Sequence, residues 1–257
     1  MPTPLSIQLY TVRDVTKTPE DFNRVLKQIA DIGYVGIESG VPGHFSPADF
    51  KKFLDDLGLK VSGTWDWPDE SNIGQVVEHA KLFGYTFVTN GFGPGDFQSP
   101  ELIQKAAQKA QTAAELCTKH GLTFCLHNHA WEFEIESMGK IAYHTLMELA
   151  PAASAELDVY WASAFGKMNV PLVVKKYAGR IPQLHVKDGP LVKNEPNTAC
   201  GHGKMDLKAC VHSADPEKLK WLVVELDQYV RGHEHVMEAV QDSYTWLTES
   251  GLGTGTK

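Results

Sequence analysis

Residues 122–133 read LTFCLHNHAWEF, and the reading of this stretch decides the fold. Its apolar run, started by Gly121, predicts a strand buried on both faces, as in a parallel sheet covered by helices. The run leads straight into His127, Asn128, His129 and Glu132. Burying such groups is costly unless something pairs with them. The pattern recurs along the chain. SAELDVYW brings Asp158 to a strand end, IPQLHVKD brings His185 and Lys187, and WLVVELD brings Glu225. Four strands that deliver acid, ammonium or imidazole from one end predict a metal or proton-transfer site.

Outward from this stretch, helix starts and stops repeat. Thr18-Pro19-Glu20-Asp21, Ser46-Pro47-Ala48-Asp49 and Ser99-Pro100-Glu101 each offer an N-cap hydroxyl, then proline at the first helical position, then early acid. Gly33, Gly58, Gly84, Gly121 and Gly179 follow helix-patterned segments and precede YVGIES, LKVSGTW, YTFVTN, LTFCLHN and IPQLHVKD. With LSIQLY in front and WLVVELD near the end, eight strands alternate with helices expected at 19–32, 47–57, 71–83, 99–120, 139–149, 168–178, 205–213 and 233–249. Eight such units without an internal linker predict an α/β single-domain (β/α)8 TIM barrel over residues 1–250. No Gly-rich phosphate fingerprint follows the first strand, which disfavours a dinucleotide-binding open sheet. The Pro-, Asn- and Gly-rich loop 189–203 is expected to cover a site or to be mobile. Residues 251–257, GLGTGTK, read as a flexible C-terminal tail.

Of the 257 residues 42% are hydrophobic, ample for one large core, and the formal net charge is −8. An acidic chain is a poor general binder of nucleic acid or anionic membrane, because phosphate demands a basic surface. No stretch approaches the roughly 18 apolar residues of a membrane span. The N-terminus lacks the pattern of a secretory signal. Cys117, Cys125, Cys200 and Cys210 show no CxxC spacing and read as reduced thiols of a cytoplasmic protein.

If the barrel closes, its strand C-termini meet at one face, so the polar residues become neighbours although they are scattered in sequence. Carboxylates with one imidazole and no thiolate suit one divalent ion of the Mn2+, Mg2+, Co2+ or Zn2+ kind. Asp158 also suits the capping of a following helix, and Lys187 also suits a structural ion pair. Gln8, Tyr10, Glu38, Trp65 and Asn90 end the first four strands and are candidates to line a substrate pocket, with Trp65 as a stacking surface. His202, between Gly201 and Gly203, is a further candidate on a turn.

The segments SIQLYTVR, HNHAWEF, ELDVYW, LHVKD, GHGKMD and WLVVELD resemble the sugar phosphate isomerase/epimerase family with its xylose-isomerase-like TIM barrel, over nearly the whole chain. The resemblance implies one divalent metal held by four strand ends, with Asp158, His185 and Glu225 at three of the ligand positions. Many relatives place a glutamate where this chain has His127. The nearest glutamate, Glu132, is the expected fourth ligand, with His127 or His129 as proton shuttle or substitute ligand.

These residues point to an isomerase or epimerase of a keto sugar or polyol ketone that works by proton transfer through an enediolate. His127, His129, Lys187 and Glu225 are its expected catalytic groups. A keto-sugar or keto-inositol dehydratase on the same metal site is the alternative. The expected partner is a small carbohydrate, phosphorylated or not, in a monomer or homo-oligomer. A DNA-repair endonuclease would need more ligands and a basic groove, and a metal-free binding barrel would leave the acids unexplained.

Overall fold

The computed structural model describes residues 2–137 and 139–257. Eight strands form the barrel: β1 (Thr3–Gln8), β2 (Gly36–Glu38), β3 (Lys60–Trp65), β4 (Phe87–Gly91), β5 (Thr123–His127), β6 (Ser154–Asp158), β7 (Gln183–Val186) and β8 (Trp221–Val224). Each pairs parallel with its neighbour. The sheet closes where Leu5, Ser6 and Ile7 of β1 register with Leu222, Val223 and Val224 of β8. The expected closed (β/α)8 barrel is therefore the fold.

Helices α1 (Pro19–Ile32), α2 (Pro47–Leu57), α3 (Ile73–Phe83), α4 (Pro100–Lys119), α5 (Ala142–Leu149), α6 (Val170–Tyr177), α7 (Leu207–His212) and α8 (Val236–Glu249) surround it. Their starts follow the cap chemistry. The side chains of Thr18, Ser46 and Ser99 accept the N–H groups of Asp21, Asp49 and Leu102, each with proline following. In α1, Phe22, Val25, Leu26 and Ile29 make the inward stripe. At its end Gly33 has φ 124°, and a Cβ there would lie 2.4 Å from the Tyr244 hydroxyl, so only glycine fits. Gly33, Gly58, Gly84 and Gly121 take the positive φ that suits a helix stop, whereas Gly179 does not and sits in a 3-10 turn, Ala178–Arg180. Two one-turn helices follow the ends of β5 and β6: Trp131–Glu134 after a short link, and Val159–Ala162 directly, capped by Asp158 as the sequence suggested.

Alternation divides each strand between two environments. Leu5, Ile7, Ile37, Val88, Phe124, Leu126, Leu157, Leu184 and Val224 are fully or almost fully buried under the helices. Each such side chain contributes about 1.5–3 kcal/mol of burial. The opposite face fills the lumen and is polar. Ser6 and Ser62 share a hydrogen bond of 2.7 Å, Thr89 donates to Glu156 at 3.0 Å, and Gln183, Glu38 and His185 are fully buried. Lumens of this fold are more often packed with Val, Ile and Leu.

The loop 189–203 is tied down at several points, Asn197 to Asp227 and Gln228 and Cys200 to Ser243 among them, and most densely by Asp188. Asp188 accepts the amides of Gly189 and Met205 on Oδ1, and those of Gly201 and Gly203 on Oδ2, all within 2.8–3.0 Å. The expected flexible tail over 251–257 is also corrected. Gly253 and Thr254 pair parallel with Thr3 and Pro4, the Thr256 amide donates to Gly33, and the Lys257 amide donates to the Tyr244 hydroxyl. Glycines suggested mobility, but they also permit this close approach: a Cβ on Gly253 would lie 2.5 Å from Leu5. Among the described residues no helix is long and apolar enough to cross a membrane.

Candidate metal centre at the barrel mouth

His127 and Asp158 are the last residues of β5 and β6, His185 lies one residue before the end of β7, and Glu225 directly follows β8. A donor atom from each lies within 4.8 Å of the donors of the other three, and all four residues are buried. His185 is engaged at both nitrogens. Nδ1 meets Glu225 Oε2 at 2.9 Å, while Nε2 meets Glu38 Oε2 at 2.7 Å and Glu156 Oε1 at 3.0 Å. Glu156 Oε1 also lies 3.2 Å from His127 Nδ1, so one carboxylate orients both rings. Asn128 clamps the two strand ends: its amide accepts from Asp158 N at 3.0 Å and donates to Asp158 O at 3.1 Å.

Asp158 serves both of its expected roles. Oδ1 caps the next helix by accepting the Trp161 amide at 2.8 Å. Oδ2 is buried with no hydrogen-bond partner; Lys187 Nζ is 3.0 Å away but out of line for such a bond. Lys187 is 1% exposed, with Nζ also 3.1 Å from Glu225 Oε2 and 2.6 Å from Asp227 Oδ2.

Charge sets the protonation. Burial pulls Lys187 down, but Asp158, Asp227 and Glu225 outweigh it and hold the ammonium charged. Burial likewise opposes charge on His185, and Glu156 with Glu38 overrides it, so the imidazolium is favoured. Glu225 is pushed up by burial yet ends well below the usual carboxylate range because of Lys187 and His185. Glu38, desolvated and next to Glu156, rises to about 8 and carries a proton at neutral pH. Burial lowers His129 to about 3, aided by the charge of His127, so this ring is neutral.

The family model of the xylose isomerase-like TIM barrel matches residues 26–250. The chain belongs to that family. Among curated proteins it is similar to an inosose dehydratase of Klebsiella pneumoniae subsp. pneumoniae, 25% identical, with 80% of this chain and 83% of the relative covered. Among solved structures it is similar to a sugar phosphate isomerase/epimerase from Parabacteroides distasonis, with TM-score 0.77, 20% identity, and 100% of this chain and 96% of the other covered. A third similar protein is the IOLI protein with a bound zinc atom, with TM-score 0.70, 15% identity, and 97% and 98% covered.

This member of the xylose isomerase-like family has a donor set that fits a divalent ion. Five carboxylates (Glu38, Glu156, Asp158, Glu225 and Asp227) crowd around Lys187 and His185. With Glu38 protonated, the four other carboxylates still outnumber Lys187 and His185, and Asp158 Oδ2 has no hydrogen bond beside its ion pair with Lys187; both features favour a further cation. His127, Asp158, His185 and Glu225 would hold it, two imidazoles with two carboxylates in place of the single imidazole expected. Glu132 is not brought into this group. Its carboxylate is buried in the turn Trp131–Glu134 and accepts the His129 amide at 2.9 Å.

The other expected residues scatter by depth. Glu38 lies beneath His185, fully buried, rather than at the pocket surface. Gln8 is buried and caps the 3-10 turn that follows β1 by accepting the Tyr10 amide. Tyr10 is 51% exposed on the rim, under the Arg13 guanidinium at 3.7 Å. Trp65 packs its ring 5.0 Å from that of His127. Asn90 turns its side-chain oxygen back onto the Gly91 amide. His202 is exposed on the turn latched by Asp188. His129 reaches a cavity of about 540 Å³ outside the cluster, walled also by Trp131, Trp161 and Phe165, and its Nδ1 has no partner. Sequence reasoning missed Glu156 and Asp188, and noted Asn128 without a role. The available signal for Glu156 was its place two residues before Asp158, on the same strand face.

Proposed function

We propose that this chain is a divalent-metal-dependent lyase of keto sugars or keto polyols, which removes the proton next to the ketone and then expels a β-hydroxyl as water. The supporting observation is the convergence of His127, Asp158, His185 and Glu225 beside the buried, charged Lys187. A bound cation supplies Lewis acidity, which polarises the ketone and makes the α-proton acidic. Lys187 adds a fixed positive charge where the enolate oxygen develops. His129 lines the cavity beside the cluster and is the imidazole placed to accept the α-proton. The same imidazolium returns that proton to the departing hydroxyl, so one group serves both strokes. The likeness to inosose dehydratases over most of both chains favours this order of readings.

An isomerase or epimerase shares the first step and is the second reading, supported by the fold likeness to a sugar phosphate isomerase/epimerase. The two separate in one experiment. Protein loaded with Mn2+ or Zn2+ is incubated in deuterated water with 2-keto-inositol and with 3-keto-glucose. A product absorbing in the near ultraviolet supports the lyase. Deuterium gained at the α-carbon, or an isomeric ketone without that absorbance, transfers the assignment to the isomerase. Neither deuterium nor product on any keto substrate overturns both.

A further inference from the structure

We infer that the cavity outside the metal cluster is a subsite for a second, uncharged six-membered ring, so that the substrate is a keto-glycoside rather than a free or phosphorylated monosaccharide. The inference rests on the proposed placement of the keto ring at the cluster. None of His127, Asp158, His185 and Glu225 lines the cavity of about 540 Å³; His129 stands at its inner wall, and a cavity of that size has room for more than the one ring that His129 would reach. Two aromatic walls lead outward from the cluster. On one side the centroids step from His185 to His127 at 4.7 Å, to His129 at 5.1 Å and to Trp131 at 4.1 Å, the last pair stacked at 16°. On the other, Lys187 Nζ stands 5.1 Å from the Trp161 ring, Trp161 meets Phe165 at 5.9 Å, and Lys193 Nζ stands 5.6 Å from Phe165.

Phe165 holds its place at a cost. Its φ is 58°, a left-handed conformation that is strained for a residue with a bulky side chain. The far end of the slot is polar: Lys193 bonds Glu134 at 2.9 Å, and Asn194 lies beside them. Flat apolar walls with a polar end match a ring that has apolar faces and a hydroxylated or otherwise polar edge. A sugar residue and an aryl aglycone both have that chemistry. A phosphate does not fit. The Lys193 ammonium is already engaged by Glu134, and the Arg13 guanidinium by the carbonyls of Tyr10 and Asp227. Glu134, Glu195 and Asp227 add negative charge to the lining.

The test is calorimetric binding to the metal-loaded protein, with probes that lack a ketone, so that it reads the subsite even if no keto sugar is turned over. Cellobiose or 4-nitrophenyl β-glucoside is expected to bind about tenfold tighter than methyl β-glucoside, the worth of one well-stacked ring. Whichever of the two gains more identifies the second ring as sugar or aryl. Glucose 6-phosphate is expected to gain nothing. Phe165→Ala should bring the tighter probe down to the level of methyl glucoside. Lys193→Ala, at an exposed position, should weaken it in the same direction without touching the core. Equal binding of all neutral probes, tightest binding of glucose 6-phosphate, or an advantage that survives both substitutions overturns the inference.

Discussion

Glu156 Oε1 lies 3.0 Å from His185 Nε2 and 3.2 Å from His127 Nδ1, so one buried carboxylate sets the orientation of both imidazoles in the donor group. Partners of this kind fix the tautomer that a metal requires. Glu156→Gln keeps the shape and removes the charge. Affinity for Mn2+ or Zn2+, measured by calorimetry, should fall about 10–100-fold. Unchanged affinity would remove Glu156 from the positioning role.

Asp158 divides its work between two oxygens: Oδ1 caps Trp161, and Oδ2 lies beside Lys187 without a hydrogen bond, where the proposed cation would take it as a ligand. Asparagine is a good N-cap, so Asp158→Asn should keep the fold while abolishing metal binding. Asp158→Ala should lose about 1 kcal/mol more stability through the missing cap. Metal titration and denaturant unfolding of both variants separate the roles; metal binding retained in Asp158→Asn would contradict the ligand assignment.

Asp188 has four backbone amides on two oxygens, two on each. In Asp188→Asn an NH2 must face two N–H donors whichever way the amide turns. Each lost bond to a charged acceptor is worth about 1.5–3 kcal/mol. The loop should then open, and trypsin should cut after Lys193 and Lys204 several-fold faster. Cleavage at the parental rate would show that the loop is held elsewhere.

His144 Nδ1 lies 2.8 Å from the Tyr177 hydroxyl, and burial, helped by the charge of Lys176, lowers its pKa from 6.5. The folded state thus prefers the neutral ring. This contribution to stability is present above 6.5 and is lost as pH falls below it, where the unfolded chain takes up the proton first. Urea midpoints at about pH 7.5 and about pH 5.5 should differ less for His144→Gln than for the parent protein. An equal difference would assign the acid sensitivity to other groups.

Much of the fold was legible because its signals are local. Ser46 followed by Pro47 announces the start of α2 within one turn, and the observed helices fall within a few residues of those read from cap and stop patterns. The strand ends that carry Asp158, His185 and Glu225 were legible for the same reason, as polar residues where apolar runs stop. The tail was not. Its glycines suggest mobility, whereas its order comes from pairing with Thr3 and Pro4 at the other end of the chain.

The sequence by itself determined the alternation of strands and helices, the single closed barrel and the three strand ends that face its mouth. Only the tertiary structure decided that His127 rather than Glu132 lies together with Asp158, His185 and Glu225, that Glu38 and Glu156 grip His185 from below, and that Lys187 is shared among three carboxylates. Helix and strand preferences act between residues near in sequence. Ligand sets and protonation depend instead on distances of a few ångströms between strands far apart in the chain, which exist only once the barrel has closed.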